Sequence, residues 1–400
     1  MSDTTGYVAI YRRFRPEVFS EVWGQSSVVR VLSNQIKAAT FAHAYLFTGT
    51  RGTGKTTMAR ILAKGLNCVH AHDPNATAAT TATSETSATA ATTAATAETA
   101  ANDDYTGEIP CGVCPNCIAI KEGSFIDVVE LDAASNNGVD SIREIRDSVQ
   151  YPPIIGKYKV YIIDEAHMLS KGAANALLKT LEEPPEHAVF ILATTEPGKL
   201  PQTIRSRCLK LDFKHVSAAD LVAGMRNICT TLGVKISQDA LSIIARGGDG
   251  SVRDSLSLLE QTISGATDAI DRKVVIEALG MPDDKVMNDL AVSMFTGDTG
   301  KALLFLDYMI QNGKDERVIM SELIDYFRSA LIIKFVRDPS QVIGRSKENI
   351  ATISQYTKDF TVERINAAIY SLSKVLNESR WATHPRILLE MSIIEIATTK

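Results

Sequence analysis

Short apolar runs alternate with segments of helical period through the first half of the chain. The runs are Ala44-Tyr45-Leu46-Phe47, Asp127 to Leu131, Val160 to Ile163 and Val189 to Ala193. This alternation predicts an α/β domain, a parallel sheet with helices on both faces, and a short apolar stretch at Cys208 to Phe213 would add a fifth strand. Ahead of the first strand, residues 6 to 40 read as helical and amphipathic beyond Tyr11-Arg12-Arg13-Phe14-Arg15-Pro16. Thr57 to Ala63 read as a helix, and Ser170 opens another that runs through Leu181 and is stopped by Pro184-Pro185. Beyond about residue 215 the strand signals cease. Ser217 and Ser237 each precede an apolar-periodic run, and a third run spans Val252 to Ile263, which fits a small three-helix bundle. Helical period then recurs near Val286, Ala302, Val318, Ile350, Val362 and Ile387, predicting an all-α third domain. The expected boundaries are 1–215, 216–280 and 281–400.

Between the first strand and its helix lies Gly49-Thr50-Arg51-Gly52-Thr53-Gly54-Lys55-Thr56, which fits G-x-x-x-x-G-K-[ST] at every fixed position. Backbone N–H groups of such a loop, together with the helix N-terminus at Thr57, converge on one anion site suited to a nucleoside triphosphate such as ATP. Lys55 would reach the β- and γ-phosphates, and Thr56 would hold the bridging Mg2+. The apolar strand Lys159 to Ile163 ends in Asp164-Glu165. Two acids at the tip of a buried strand suit metal holding by Asp164 and polarisation of an attacking water by Glu165, the pair that hydrolysis needs.

Length and composition narrow the class. A chain of 400 residues with 45% hydrophobic content can pack two or three cores. A net charge of −5 supplies no basic coat, so any nucleic-acid contact must come from a local patch. No apolar run approaches the ~20 residues of a membrane span, and Met1 to Thr5 lack signal-peptide character, so a cytoplasmic protein with reduced cysteines and no membrane partner is expected. In that setting Cys111-x-x-Cys114-x-x-Cys117 reads as a structural Zn2+ site. Cys68 is the favoured fourth ligand, with His70 and His72 as the alternatives. The zinc module would occupy about 68–120. It encloses an Ala/Thr-rich stretch, about 73–104, that has no large apolar residue from Asn75 to Asn102 and reads as a disordered insertion. Cys208 and Cys229 read as packing residues.

Taken together these motifs resemble the clamp-loader AAA+ ATPases of bacterial DNA polymerase III. The resemblance rests on Tyr11 to Pro16 with Val22-Trp23-Gly24-Gln25, the phosphate loop, the cysteine module, Leu131-Asp132-Ala133-Ala134-Ser135 and Ile162 to Leu169. Leu177 to Pro185, Ala193-Thr194-Thr195, Ser206-Arg207-Cys208 and Gly250-Ser251-Val252-Arg253-Asp254 complete it. It implies an AAA+ domain, a helical lid and a helical oligomerisation domain. It also implies that Thr195 senses the γ-phosphate and that Arg253 reaches the phosphates from the lid. By the same resemblance Arg207 would act as an arginine finger on a neighbour's ATP, and Arg12 and Arg13 with Pro16 would frame the nucleotide edge. The implied partners are delta and delta-prime type subunits, further copies of this chain, the sliding clamp and primed DNA. The longer form in that family carries a further charged linker and a polymerase-binding domain, so direct polymerase binding is not expected of these residues. The competing readings are another AAA+ loader or DNA remodeller, and a nucleotide-binding scaffold without turnover.

Overall fold

The computed structural model describes residues 8–72, 107–266, 269–282, 284–339, 342–343 and 347–399. The Ala/Thr stretch from Asn75 to Asn102 lies outside the described residues. By its internal contacts the chain divides into two compact units, Met1–Asp220 with Gly250–Arg253, and Leu221–Asp249 with Asp254–Lys400.

The first unit holds five strands: β1 Ala44–Thr48, β2 Val128–Asp132, β3 Lys159–Asp164, β4 Ala188–Thr194 and β5 Leu209–Asp212. Their order is β2-β3-β4-β1-β5 and every pairing is parallel. Both β1 and β4 are buried along their whole length, which is why they read as unbroken apolar runs rather than as alternating ones. The covering helices are α1 Ile10–Arg13, α2 Ser26–Lys37, α3 Lys55–Asn67, α4 Pro115–Glu122, α5 Val139–Val149, α6 Lys171–Glu182 and α7 Gln202–Arg205. Leu32 of α2 and Met58 and Leu62 of α3 pack with Phe47 and Ile191 on one face of the sheet. Ile142 of α5 and Leu177 and Leu181 of α6 pack with Leu46 and Leu192 on the other.

The amphipathic reading of residues 6 to 40 is corrected in its extent. Among the described residues the helical parts there are α1, a single 3-10 turn at Phe19–Glu21 and α2, because Pro16 cannot continue a helix and Gly24 adopts φ +68°. A Cβ at Gly24 would lie 2.9 Å from a Val216 methyl, so the break is fixed by packing as well as by dihedral. α3 starts at Lys55, two residues earlier than the periodicity suggests. Ser170 caps α6, its hydroxyl accepting from the Ala173 N–H at 3.2 Å. Asp127 is buried, and its carboxylate accepts the N–H groups of Ile154, Ile155 and Gly156 at 2.8, 2.7 and 2.8 Å. It thereby pins the loop that feeds β3, and the three donors together supply what a buried carboxylate requires.

Downstream, the described elements are helical: α8 Ala218–Leu232, α9 Gln238–Gly247, α10 Val252–Ser264, α11 Arg272–Ala278, α12 Asp284–Thr296, α13 Thr299–Gln311, α14 Glu316–Phe335, α15 Lys347–Tyr356, α16 Val362–Glu378 and α17 Pro385–Thr398. Each of the periodic segments from Val286 to Ile387 falls within one of these helices. Asp298, Asp315 and Thr361 cap α13, α14 and α16 through side-chain acceptors. In the second unit Phe295 stacks on Phe360 at 3.9 Å between ring centroids and tilts on Phe327 at 5.1 Å, with Leu323, Leu372 and Leu389 in the same core. Among the described residues, no helix is long and apolar enough to cross a membrane.

Candidate functional site

Sheet order brings the carboxyl ends of β1, β4 and β3 side by side, and ligands of open parallel sheets bind at such ends. The loop after β1 turns through Gly52 at φ +75°, where a Cβ would meet the Ser251 hydroxyl at 1.9 Å. The carbonyl of Gly52 accepts from the N–H groups of Val252 and Arg253 at 3.0 and 3.4 Å, so residues 250–253 of the same unit rest on the loop. Thr53 closes the turn, donating from Oγ1 to the Thr50 carbonyl at 2.9 Å. Gly54, left-handed at φ +99°, then launches α3, whose first N–H groups have no acceptor within the helix.

Lys55 is only 6% exposed. Its Nζ donates to the carbonyls of Gly49 and Thr50 at 2.9 and 2.8 Å. Burial lowers its pKa, against the opposing pull of Glu165 and Asp164. Thr56 Oγ1 donates to Asp164 Oδ2 at 2.6 Å, and the other Asp164 oxygen accepts the Glu165 N–H at 2.9 Å. Glu165 itself has φ +46°, a strained setting for a residue with a Cβ, which turns its carboxylate back toward β4. There Thr195, just past the strand, donates from Oγ1 to Glu165 Oε2 at 3.1 Å. Loop, lysine, threonine, two acids and Thr195 thus form one connected group. The hydroxyl and carboxylate oxygens of Thr56 and Asp164 are hard donors of the kind Mg2+ takes.

The remaining sequence candidates distribute around it. Arg51 is exposed and Thr57 half-buried beside the loop. The Arg253 guanidinium lies 5.0 Å from the Tyr11 ring centroid, while Arg12 lines a neighbouring basic cavity. Arg207 bonds elsewhere, through Nη2 to Glu182 Oε1 at 2.7 Å and through Nη1 to the Thr203 carbonyl at 2.8 Å, on the flank formed by α6 and α7.

Two residues of the group belong to motifs that carry the resemblance, but the sequence gives them no role. The His167 side chain is 7% exposed, with Nδ1 3.1 Å from Thr194 Oγ1 and 3.4 Å from Glu165 Oε2, so it backs the second acid. Nothing local in the sequence signals that a histidine so close to two acids is buried. Gln25 is also buried, donating to the Lys214 carbonyl at 2.7 Å and accepting the Lys214 N–H at 3.1 Å. It also approaches the Thr53 carbonyl at 3.5 Å, linking the segment after β5 to the phosphate loop.

A second cluster lies at the far end of α3. The sulfurs of Cys68, Cys111, Cys114 and Cys117 all lie within 4.8 Å of one another. A zinc tetrahedron with ~2.3 Å bonds requires sulfurs about 3.8 Å apart, so the four fit that ion with small adjustment. Cys114 caps α4 with Pro115 at its first position, and the Cys114 N–H points at Cys111 Sγ at 3.3 Å. Hydrogen bonding to Cys114 pushes the Cys68 thiol up to about 12, and hydrogen bonds from Cys117 and Cys68 hold Cys114 low. Four thiols this close cannot all ionise unless a cation sits among them. His70 is not in the cluster, and the His72 side chain lies outside the described residues.

Known proteins match this sequence along nearly the whole chain. Residues 24–89 and 79–217 match the family described as DNA polymerase III, delta subunit. Residues 220–268 match the DNA polymerase III clamp loader subunit, ATPase lid domain, and residues 270–400 match DNA polymerase III subunits gamma and tau domain III. The chain is 40% identical over 393 residues to DNA polymerase III subunit tau of Bacillus subtilis, covering 98% of this chain and 64% of that protein. It is 34% identical over 359 residues to DNA polymerase III subunit gamma of Buchnera aphidicola, covering 88% and 87%. Among solved structures, the RuvB Holliday junction branch migration motor of Thermotoga maritima aligns over 70% of this chain and 79% of that one, at 20% identity and a TM-score of 0.46. That likeness is too distant to carry any functional argument. The chain spans between half and two thirds of the length of the first three curated relatives it matches. With identity sustained across most of the Buchnera gamma subunit and domain III matched through the last residues, this chain belongs to the DNA polymerase III gamma/tau subunit family.

Proposed function

We infer that the chain is an ATP-driven clamp-loader subunit that binds and hydrolyses ATP to load a sliding clamp on primed DNA. The observation that carries this is the connected set Thr56, Asp164, Glu165 and Thr195 at the rim beside Lys55. A scaffold that only held nucleotide would have no use for an acid tied to a γ-phosphate sensor. In this reading the loop from Gly49 to Thr56 cradles the phosphates with its N–H groups, and Lys55 neutralises the β- and γ-oxygens. Thr56 and Asp164 would hold Mg2+, which supplies charge neutralisation when bound. Glu165 polarises the attacking water, Thr195 reads the γ-phosphate, and Arg253 answers from a lid formed by residues 216–280. Arg207 serves the ATP of a neighbouring subunit, and residues 281–400 form the oligomerisation collar. The partners are delta and delta-prime type subunits, copies of this chain, the clamp and primed DNA.

ATPase rates of the chain alone, with delta-type partners, and with partners plus clamp and primed DNA test the reading. The last mixture should be stimulated most. Equal rates in all three, in assemblies shown to form, would remove the loader assignment.

The cysteine cluster supports a structural zinc held by Cys68, Cys111, Cys114 and Cys117. Elemental analysis should find one zinc per chain, lost in Cys68→Ser and kept in His70→Ala/His72→Ala. The reverse pattern would transfer the fourth position to a histidine. Because structural zinc contributes folding free energy, chelation should also lower the thermal midpoint.

A further inference from the structure

A group of positive charges gathers along the flank of α3, beyond the phosphate loop. A cavity of about 480 Å³ there is lined by Arg12, Arg13, Arg15, Arg60, Lys64 and Lys121. Glu17 is the acid on its wall. Glu17 is divided between two lysines, bonding Lys121 through Oε1 and standing 3.6 Å from Lys64 Nζ through Oε2. Arg60 is engaged by Glu130 through two bonds of 2.7 and 2.9 Å. Six cations therefore line the cavity with one carboxylate, and Glu130 pairs with Arg60 from outside the lining.

Lys64 makes this excess consequential. Its side chain is 4% exposed, and its one recorded ion pair, with Glu17 at 3.6 Å, is to an acid that Lys121 shares. A buried ammonium with so little counter-charge is costly unless an anion joins it. Arg15 reports the same field: burial lowers its pKa first, and the charge of Arg60 lowers it further. The Lys64 end of the cavity lies away from the triphosphate position, whereas Arg12, Arg13 and Pro16 at its other end are the residues that the resemblance sets at the nucleotide edge. Lys64 follows Lys55 by nine residues, about 13 Å along the helix, and shares its face with Arg60 four residues before it.

We propose that this cavity is a second anion site, distinct from the phosphate loop, which takes a small polyphosphate. Guanidinium forks match phosphate oxygens two at a time, and the volume falls in the range of small-ligand pockets. Depth decides against a nucleic-acid backbone, which lies across a surface and cannot reach an ammonium as buried as that of Lys64. The walls come from the N-terminal segment, from α3 and from α4 next to Cys117. A bound polyphosphate would therefore tie the arginine-rich N-terminus to the helix that begins at the loop and to the helix of the cysteine cluster.

The test is calorimetric titration of the full chain with inorganic tripolyphosphate at low salt. The phosphate loop is first saturated with a non-hydrolysable ATP analogue, with Mg2+ in excess of both. One tripolyphosphate should bind per chain, weakening by at least about tenfold in Lys64→Gln/Lys121→Gln, since each lost charge-assisted bond is worth that much. Lys121→Gln alone, at an exposed position, should weaken binding severalfold without touching the fold, and retained binding of the ATP analogue verifies folding in both. A parallel titration compares GDP with pyrophosphate. Tighter GDP binding that is lost in the double variant makes the ligand a nucleotide, and equal binding with the same loss makes it inorganic. The proposal is overturned by no binding once the loop is filled, by unchanged affinity in the double variant, or by one-for-one displacement of the ATP analogue. It is also overturned if single-stranded DNA, and not tripolyphosphate, loses binding in the double variant.

Discussion

Replacing Lys55 by alanine should lower ATP turnover by about 10²–10³-fold, the usual cost of removing one preorganised charge from a phosphoryl-transfer site. The fold should survive. Lys55 is buried, and burial already disfavours its charged form, so the ammonium is a burden on stability that only phosphate relieves. Its two acceptors, the carbonyls of Gly49 and Thr50, belong to a surface loop and can turn to water when the side chain is gone. The thermal midpoint should therefore stay within about 4 °C of the parent, corresponding to roughly 1 kcal/mol. ATPase assay and calorimetric unfolding on the same preparation separate the two effects. Turnover within tenfold of the parent would remove Lys55 from the site. A large fall in the midpoint would mean that the lysine supports the loop itself.

What the sequence discloses here follows the range of the interactions involved. Strands buried on both faces leave unbroken apolar runs, so β1 and β4 are visible to within a residue or two. The phosphate loop is legible because its requirements are local: glycines at φ angles that side chains resist, then a lysine and a threonine opening a helix. That Thr56 meets Asp164 across 108 residues is a matter of sheet order, which sets β4 between β1 and β3. Partners that depend on distant chain crossings leave no such trace. Gln25 bonds a backbone 189 residues away, and Asp127, read simply as the start of a strand, holds a loop 27 to 29 residues on. The same blindness hides the basic cavity. Arg60 and Lys64 are four apart on a helix and Lys121 closes another, which reads as solvated helix surface until the N-terminal segment is laid across them. The break at Gly24, just ahead of α2, is hidden for a related reason, since its constraint is a contact with Val216, 192 residues away in the chain.

Arg207→Ala should leave the affinity of its own subunit for ATP within about threefold while lowering turnover of the assembly by roughly 10³-fold, the scale on which arginine fingers act in trans. Its position favours that division of labour. Glu182 and the Thr203 carbonyl hold the guanidinium on the α6 and α7 flank, with about a third of the side chain exposed. The group of Lys55, Thr56, Asp164, Glu165 and Thr195 is connected without it. A guanidinium fixed by one carboxylate at a partly exposed position is preorganised to meet a second anion arriving from another chain, and it loses little entropy in doing so. Mixed assemblies distinguish the two possible owners of this arginine. Lys55→Ala subunits keep Arg207, so they should restore hydrolysis at the intact loops of Arg207→Ala subunits beside them, though neither variant turns over by itself. Stable mixed assemblies without recovery, together with lost ATP binding by Arg207→Ala alone, would assign the arginine to its own nucleotide. Recovery that depends on the mixing ratio would instead make each active site the joint property of two neighbours, so that hydrolysis could proceed only where subunits are correctly assembled.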